Sequence, residues 1–149
     1  MTKEYGLVIV GAGQSGMSAA ITAASEGIKT AIIESNPNGT GGAPQGSGAI
    51  ENFFGFPEGI SGEELGSRGR QQMRKFGVDF VAPCFADRLE IEEGCRGITL
   101  DDGQKLRAKA VLLALGISYR RLQSPGVADL IGHGVYYNPP PVFDNYEGQ

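Results

Sequence analysis

The sequence predicts an α/β fold: a Rossmann-like three-layer domain with a central parallel sheet and an antiparallel β-meander. One observation is a strand, glycine loop, helix and second strand in succession over residues 5–34. Another is the alternation of apolar and polar residues over 88–108, with turn residues between the alternating runs. A third is the continuous apolar run over 109–116, which suits a strand inside a covered sheet.

The first unit contains an apolar run followed by the pattern G-x-G-x-x-G. Gly11 suits the tight turn, Gly13 lets the backbone approach a pyrophosphate, and Gly16 allows the helix to pack closely on the strand. Gln14 and Ser15 begin the helix, where unpaired N–H groups and the helix dipole favour an anion. The pattern predicts a dinucleotide site, with an ordinary glycine turn as the alternative.

Glu34 ends the second strand of this unit and is followed by Ser35. A carboxylate at this position accepts hydrogen bonds from a ribose diol and disfavours a 2′-phosphate. Small residues along the helix and Gly27 at its end strengthen the nucleotide interpretation. The unit by itself does not distinguish FAD from NAD.

Residues 35–48 form a long loop rich in turn residues, and an aromatic cluster follows at 50–57. Loops of this length within a domain are usually functional or disordered. The aromatic residues predict an ordered loop packed against a large flat surface, or alternatively a plug on the core. Ser61 then begins a helix as its N-cap, Glu64 completes a capping box, and Gly77 ends the helix. Its apolar side is predicted to carry Leu65, Met73 and Phe76.

The remaining elements follow in order along the chain. Residues 78–81 predict a third parallel strand, buried at the sheet edge, and the meander has turns at 93–94 and 101–103. The apolar run 109–116 is expected beside the first strand, covered on both faces. We expect a domain over residues 1–137 and a linker over 138–149, toward a second nucleotide-binding domain that the chain lacks.

Composition restricts the classes of partner. The chain has 149 residues, 40% apolar content and a net charge of −4, so it is one domain long and has no basic surface for nucleic acid. No stretch approaches the ~20 apolar residues of a membrane span, and the expected location is cytoplasmic. Cys84 and Cys95 are expected to be buried or indifferent thiols, with a redox pair as the alternative, and His133 is expected in an exposed loop.

Several short segments are more specific than the glycine loop. They are Gly41-Gly42 and the residues at 50–57, 60–65, 113–116, 119–122, 125–126 and 132–137. Their order resembles the FAD-binding half of two-domain flavoproteins of the thioredoxin reductase type, in the pyridine nucleotide-disulfide oxidoreductase family. The resemblance covers nearly the whole chain.

This resemblance implies that the nucleotide is FAD, with Glu34 on the adenosine ribose, the loop from Gly41 to Gly55 along the isoalloxazine, and Asn52 near its polar edge. The candidate cofactor-binding residues are therefore Gly11, Gly13, Gln14, Ser15, Gly16, Glu34, Ser35, Gly41, Gly42, Asn52, Ala114 and Gly116. No catalytic residue and no metal ligand is assigned within the chain. NADP(H) is expected to act only through a further domain.

The family passes hydride from a nicotinamide to the flavin and then electrons to a disulfide or another protein. Four departures stand out in this chain. Residues 136–141 replace the C-x-x-C pair, no second glycine pattern for NADP(H) follows, Ala43 stands where glutamine is usual, and Leu115 replaces threonine. The resemblance therefore implies part of a reductase, truncated or natural, and not a complete one.

Two functions follow from these observations. The first is the FAD-binding domain of an oxidoreductase that delivers electrons from NAD(P)H to a disulfide, ferredoxin or another acceptor. The second is a non-enzymatic regulatory module that binds FAD or another ADP-containing ligand. In either case an apolar face that normally meets another domain would be exposed, so we expect contact with an NAD(P)H domain or self-association through that face.

Overall fold

The computed structural model describes residues 3–36, 39–43 and 48–137. Within this part, two α-helices and six strands follow the predicted order. They are β1 (Lys3–Val10), α1 (Gln14–Ser25), β2 (Thr30–Ile33), α2 (Gly62–Lys75), β3 (Asp79–Val81), β4 (Ala86–Glu92), β5 (Cys95–Leu100) and β6 (Lys105–Leu113). The predicted linker lies outside the described residues, as do positions 37–38 and 44–47 of the long loop.

The six strands form one mixed sheet in the order β3-β2-β1-β6-β5-β4. β1 pairs in parallel with β2 and β6, β2 pairs in parallel with β3, and β4, β5 and β6 form the antiparallel meander. The predicted meander and the predicted run 109–116 are not separate elements. β6 belongs to both, because it pairs with β5 as far as Ala108 and with β1 as far as Leu113.

The parallel strands have a hydrophobic core on each face, which gives the predicted three layers. Ile9 of β1 and Ile32 of β2 belong to a cluster with α1 and α2. Val8 and Ile33, which point to the opposite face, belong to a second cluster with the meander. Among the described residues, no helix is long and apolar enough to cross a membrane.

Three expectations about burial are wrong. β3 is a parallel edge strand as predicted, yet Phe80 within it is 36% exposed because the described strands cover it on one side only. Phe76 is 40% exposed because α2 ends at Lys75 and Phe76 is its C-cap. Leu113 is 57% exposed, since its own side chain belongs to neither core cluster.

The capping of α2 is confirmed in part. The Ser61 Oγ accepts a hydrogen bond from the Glu64 N–H at 3.1 Å, as the capping box predicts. The Glu64 carboxylate accepts instead from the Arg68 Nε at 3.1 Å, one turn further along the helix. The N-terminus of α2 therefore caps one of its own N–H donors and also carries negative charge.

The described residues form two compact units, with the boundary after Gly116. In the second unit, the Tyr137 hydroxyl accepts a hydrogen bond from the Leu122 N–H at 2.8 Å, and the Arg121 guanidinium lies 5.8 Å from the Tyr137 ring. His133 is exposed in a turn, as expected. The predicted domain boundary after residue 137 stays a prediction.

Thr40 and Gly66 join the long loop to α2. The Thr40 side chain is buried, and its Oγ1 donates a hydrogen bond to the Gly66 carbonyl at 2.8 Å. A Cβ at Gly66 would lie 2.7 Å from the Thr40 carbonyl oxygen, and one at Gly69 would lie 2.7 Å from the Met17 Sδ. α2 therefore packs against the backbone of the loop at Thr40 and against the flexible Met17 side chain of α1.

Substitution of Gly66 tests this contact. In an exposed helix, Gly→Ala stabilises by about 1 kcal/mol, whereas we expect Gly66→Ala to destabilise by about 1–3 kcal/mol, because the neighbouring backbone cannot move away. Gly69→Ala should cost less, since Met17 can change rotamer, and Gly48→Ala, which meets nothing within 4 Å, is the control. The measurement is the urea dependence of unfolding. A Gly66→Ala variant as stable as the native chain would contradict this account of the packing.

A side-chain hydrogen bond from Tyr5 links β1 to β3, the strand at the edge of the sheet. The Tyr5 ring is buried, and its hydroxyl donates a hydrogen bond to the Asp79 Oδ2 at 2.8 Å. Burial, together with the Asp79 carboxylate, raises the pKa of Tyr5 from 10.0 to about 12. The folded state therefore holds this proton more tightly than the unfolded state does.

The stability that depends on this proton is present below pH 10 and is lost as the pH rises toward 12. We expect the free energy of unfolding to fall over that range by at most about 3 kcal/mol, and to fall less in Tyr5→Phe. Denaturant titrations of both proteins between pH 8 and 12 measure the difference. Other groups titrate in both proteins. If the free energy of unfolding fell equally with pH in both, Tyr5 would not contribute to this pH dependence.

Candidate functional site

The glycine loop follows β1 at the carboxyl edge of the parallel strands. Gly11 has a φ of +104°, and a Cβ there would lie 2.3 Å from the Ala114 carbonyl oxygen. A Cβ on Gly16 would lie 1.9 Å from the Gly11 carbonyl oxygen. The loop, the end of β6 and the first turn of α1 therefore meet through backbone atoms, as the fingerprint predicts for the first and third glycines.

The N-terminus of α1 has no cap of its own. Gly13 is the N-cap residue, and the first turn holds no acidic residue. The Met17 N–H donates to the Gly13 carbonyl at 2.9 Å, so the N–H groups of Gln14, Ser15 and Gly16 precede the first helical hydrogen bond. This differs from α2, and it suits an anion supplied by a ligand.

Glu34 follows β2 and extends across to the glycine loop. Its Oε2 accepts a hydrogen bond from the Ala12 N–H at 2.8 Å, and its Oε1 accepts one from the Asn36 N–H at 2.8 Å. The Ser35 hydroxyl donates to the same Oε1 at 3.4 Å. A carboxylate offers about four acceptor positions, so Glu34 is oriented by the backbone and keeps capacity for a diol.

The loop glycines 41 and 42 lie against this structure. The Gly41 N–H donates to the Ala12 carbonyl at 3.1 Å, and a Cβ on Gly42 would lie 3.1 Å from the Gly13 Cα. Together with the end of β6 they surround an open cavity of about 540 Å³. Its lining contains Gly13, Gln14, Ser15, Gly41, Gly42, Ala114 and Gly116 of the predicted site.

Asn52 of the predicted site does not line this cavity. It is exposed in a turn that is closed by two hydrogen bonds between Ile50 and Ile60, at 2.8 and 3.1 Å. The Phe53 and Phe56 rings lie 6.1 Å apart at a tilt, so the turn is ordered by its own contacts. Within the part of the chain that the structure describes, no contact joins Asn52 to the cavity at the glycine loop.

Sequence reasoning missed residues that hold the site in place. Ala12 supplies both the N–H for Glu34 and the carbonyl for Gly41. Thr40 and Gly66 fix the loop before Gly41 on α2. The spacing of Gly62, Gly66 and Gly69 along one helix is a pattern that could have indicated close packing against backbone.

Both cysteines are free thiols in this structure. Cys84 is buried, and burial together with the Asp101 and Asp102 carboxylates raises the pKa of its thiol to about 11. A thiol of this kind stays protonated at neutral pH and is unreactive, as expected. The Cys95 Sγ accepts a hydrogen bond from the Arg107 guanidinium at 2.9 Å.

The residues present fit a dinucleotide. An uncapped helix N-terminus provides N–H donors for a pyrophosphate. A backbone-held carboxylate lies at the end of the next strand, and the cavity is bordered by glycines where a Cβ would narrow it. These three features occupy one edge of one sheet, where parallel α/β sheets bind their ligands.

Comparison with known proteins gives a consistent family. A sequence profile of the pyridine nucleotide-disulphide oxidoreductases matches residues 5–138. The chain is 33% identical over 136 residues to thioredoxin reductase of Bacillus subtilis, which covers 91% of this chain and 41% of that protein. It is 33% identical over 129 residues to the bifunctional thioredoxin reductase/thioredoxin of Mycobacterium leprae, covering 87% and 28% respectively.

The crystal structure of Lactococcus lactis thioredoxin reductase superposes with a TM-score of 0.76 at 30% identity, over 85% of this chain and 40% of that one. The chain thus spans less than half the length of these relatives. The resemblance seen in the sequence is confirmed. The chain belongs to the pyridine nucleotide-disulphide oxidoreductase family.

Proposed function

We propose that this chain is the FAD-binding domain of a cytoplasmic, flavin-dependent oxidoreductase that passes electrons from NAD(P)H through FAD to a disulfide, ferredoxin or another acceptor. The observation that carries the proposal is the pairing of an uncapped α1 N-terminus with a Glu34 carboxylate held by the Ala12 N–H. Because the chain spans 41% of the Bacillus subtilis and 40% of the Lactococcus lactis thioredoxin reductase, we assign NAD(P)H binding to a separate partner domain and expect no complete turnover from this chain alone.

In this proposal the FAD pyrophosphate is bound by the first turn of α1. The N–H groups of Gln14, Ser15 and Gly16 donate to it, and Gly13 leaves room for the phosphate beside the backbone. The charge on the phosphates is stabilised by the positive end of the helix dipole. No basic side chain is required for this binding.

The Glu34 carboxylate accepts hydrogen bonds from the hydroxyls of the adenosine ribose, and the Ser35 hydroxyl donates a further one to its Oε1. The negative charge of Glu34 repels a 2′-phosphate, which favours FAD over NADP(H) at this position. Gly41, Gly42, Ala114 and Gly116 border the continuation of the cavity toward the isoalloxazine. We place Asn52 near the polar edge of that ring, on the resemblance to the family.

Bound FAD would supply the hydride and electron chemistry, and the chain's own residues bind and orient it. The protonated, buried Cys84 makes dithiol exchange within this chain chemically unfavourable. The electron acceptor is therefore expected to react at the flavin or through a segment outside the chain.

Gly13 offers a direct test of FAD binding. Its φ of −70° suits any residue, and a Cβ there would meet only the Gly42 Cα, at 3.8 Å, so Gly13→Ala and Gly13→Val should fold normally. We expect Gly13→Val to weaken FAD binding by about 100-fold, because its side chain fills the space beside the phosphate. The measurement is the visible spectrum of each protein after incubation with FAD and desalting, with calorimetric titration for affinity.

A folded Gly13→Val variant that retains FAD as well as the native chain would overturn the assignment of the phosphate loop. A native chain that binds ADP and excludes FAD would favour the non-enzymatic ADP-binding module over the flavoenzyme domain. Far-UV circular dichroism confirms that each variant has folded before affinities are compared.

Glu34 and Asn52 can be separated by comparing two ligands. Glu34→Ala should weaken ADP and FAD by a similar factor of about 10, since both ligands carry the adenosine ribose. Asn52→Ala should weaken FAD and leave ADP unchanged, because ADP does not reach the isoalloxazine position. Titration of both variants with both ligands decides the matter, and a loss of ADP affinity in Asn52→Ala would contradict the placement of that residue.

A further inference from the structure

The loop that follows Glu34 is held by a short series of hydrogen bonds. The Glu34 carboxylate accepts a hydrogen bond from the Asn36 N–H, and the Asn36 carbonyl accepts one from the Gly39 N–H at 3.0 Å. Gly39 is buried and has a φ of +100°. The backbone that orients the Glu34 carboxylate therefore belongs to a turn whose far end is Gly39.

The guanidinium of Arg70 covers Gly39. A Cβ on Gly39 would lie 1.4 Å from the Arg70 Nη2 and 2.6 Å from its Cζ, so the guanidinium occupies the space that a side chain at position 39 would need. The Arg70 Cζ also lies 5.2 Å from the centroid of the Phe80 ring on β3. The ion pairs found within the described ranges do not include Arg70, so packing and not an acidic partner holds the guanidinium there.

Two consecutive turns of α2 contact two consecutive residues of the loop. Arg70 follows Gly66 by four positions, which places both on the same face of the helix. Gly66 contacts Thr40, and Arg70 contacts Gly39. The backbone contact at Gly66 does not depend on the side chain at position 70, so a substitution of Arg70 frees the turn and leaves the loop attached to the helix.

A guanidinium suits this position for a chemical reason. It is planar, delocalised and weakly hydrated, and it stacks on aromatic rings. An ammonium is a compact, strongly hydrated point charge on a flexible stem. Lysine at position 70 would therefore keep the charge and lose the flat surface that covers Gly39.

We propose that Arg70 is a positioning residue of the nucleotide site, which fixes the turn from Asn36 to Gly39 and thereby the carboxylate of Glu34 that accepts the ribose hydroxyls. The inference rests on the proposed function, because it takes Glu34 as the ribose ligand. Arg70 acts through Glu34, so its loss reduces the preference for a ribose that carries both hydroxyls. The N–H groups in the first turn of α1 stay as they are.

Titration calorimetry with ADP and 2′,3′-dideoxy-ADP tests the proposal. The native chain should bind the dideoxy nucleotide about tenfold more weakly than ADP, because the hydrogen bonds to the Glu34 carboxylate are lost. Arg70→Gln should reduce this ratio to about threefold, by weakening ADP and leaving the dideoxy nucleotide nearly unchanged. A general effect of the lost charge on the phosphates would weaken both ligands equally and cancel in the ratio.

Further variants separate stacking from charge. Arg70→Lys keeps the charge, and Phe80→Leu removes the ring while keeping an apolar side chain, so both should also lower the ratio. The control is Arg74→Gln, which makes the same charge change at an exposed position in the last turn of α2 and should leave the ratio at its native value. Circular dichroism and urea unfolding show that each variant is folded before affinities are compared.

A double-variant cycle shows whether Arg70 acts through Glu34. In a chain that already carries Glu34→Ala, adding Arg70→Gln should weaken ADP no further, because no carboxylate remains to be positioned. The exchange rate of the Asn36 amide hydrogen provides a measurement without ligand. It should rise in Arg70→Gln and stay at the native value in Arg74→Gln.

A native preference for ADP that Arg70→Gln leaves unchanged would overturn the proposal while the ribose assignment of Glu34 stands. An equal further loss of ADP affinity in the Glu34→Ala background would also overturn it, because Arg70 would then act independently of the carboxylate. A native chain that binds both nucleotides equally would contradict the proposed function at Glu34, and the positioning role would fall with it. A lower ratio in Arg70→Gln, Arg70→Lys and Phe80→Leu, with Arg74→Gln unchanged, is the result that supports the proposal.

Discussion

The close approach of three backbone segments around Gly11 and Gly16 is the constraint on which the structure depends. A Cβ at either glycine would lie within 2.3 Å of a carbonyl oxygen, so only glycine allows β1, α1 and the end of β6 to meet. This contact aims the first turn of α1 over the sheet edge. It also brings Ala114 against the loop, which places the end of β6 on the wall of the cavity. The geometry of the ligand site is therefore a consequence of backbone packing and not of side-chain choice.

The two helices show how differently a chain can treat the same electrostatic problem. Both have unpaired N–H groups and a positive dipole end at the first turn. In α2 the Ser61 side chain accepts a hydrogen bond from the Glu64 N–H, and the carboxylates of Glu63 and Glu64 place negative charge in the first turn. α1 begins with Gly13 and carries no acid in its first turn, and the Glu34 carboxylate accepts a hydrogen bond from the Ala12 N–H, which precedes the helix. Because α1 receives no such compensation from its own side chains, the site favours an anionic ligand.

Local patterns made much of this structure predictable. The glycine loop, the Ser61 cap and the hairpin turns each depend on residues within a few positions of one another, and these predictions are confirmed. The contact of Thr40 with Gly66 joins residues 26 positions apart, and no local pattern indicates it. No local pattern indicates the exposure of Phe80 either, because that exposure depends on which strands lie beside β3. The role of Asn52 stays a prediction, as it depends on a ligand and not on the chain's own contacts.

Helix α1 borders both the cavity at the glycine loop and the groove between α1 and α2. Gln14 lines the cavity at the glycine loop and also the groove between the helices, while Met17 and Ile21 continue along the groove. Gly16, Met17 and Ala20 are buried, and Met17 and Ala20 pack in the core with Ile9 of β1 and Ile32 of β2, so the helix is fixed on the sheet. A ligand site on a rigid element is positioned more precisely than one on a loop. The packing of the helix body on the sheet therefore holds the N–H groups of the first turn at the cavity.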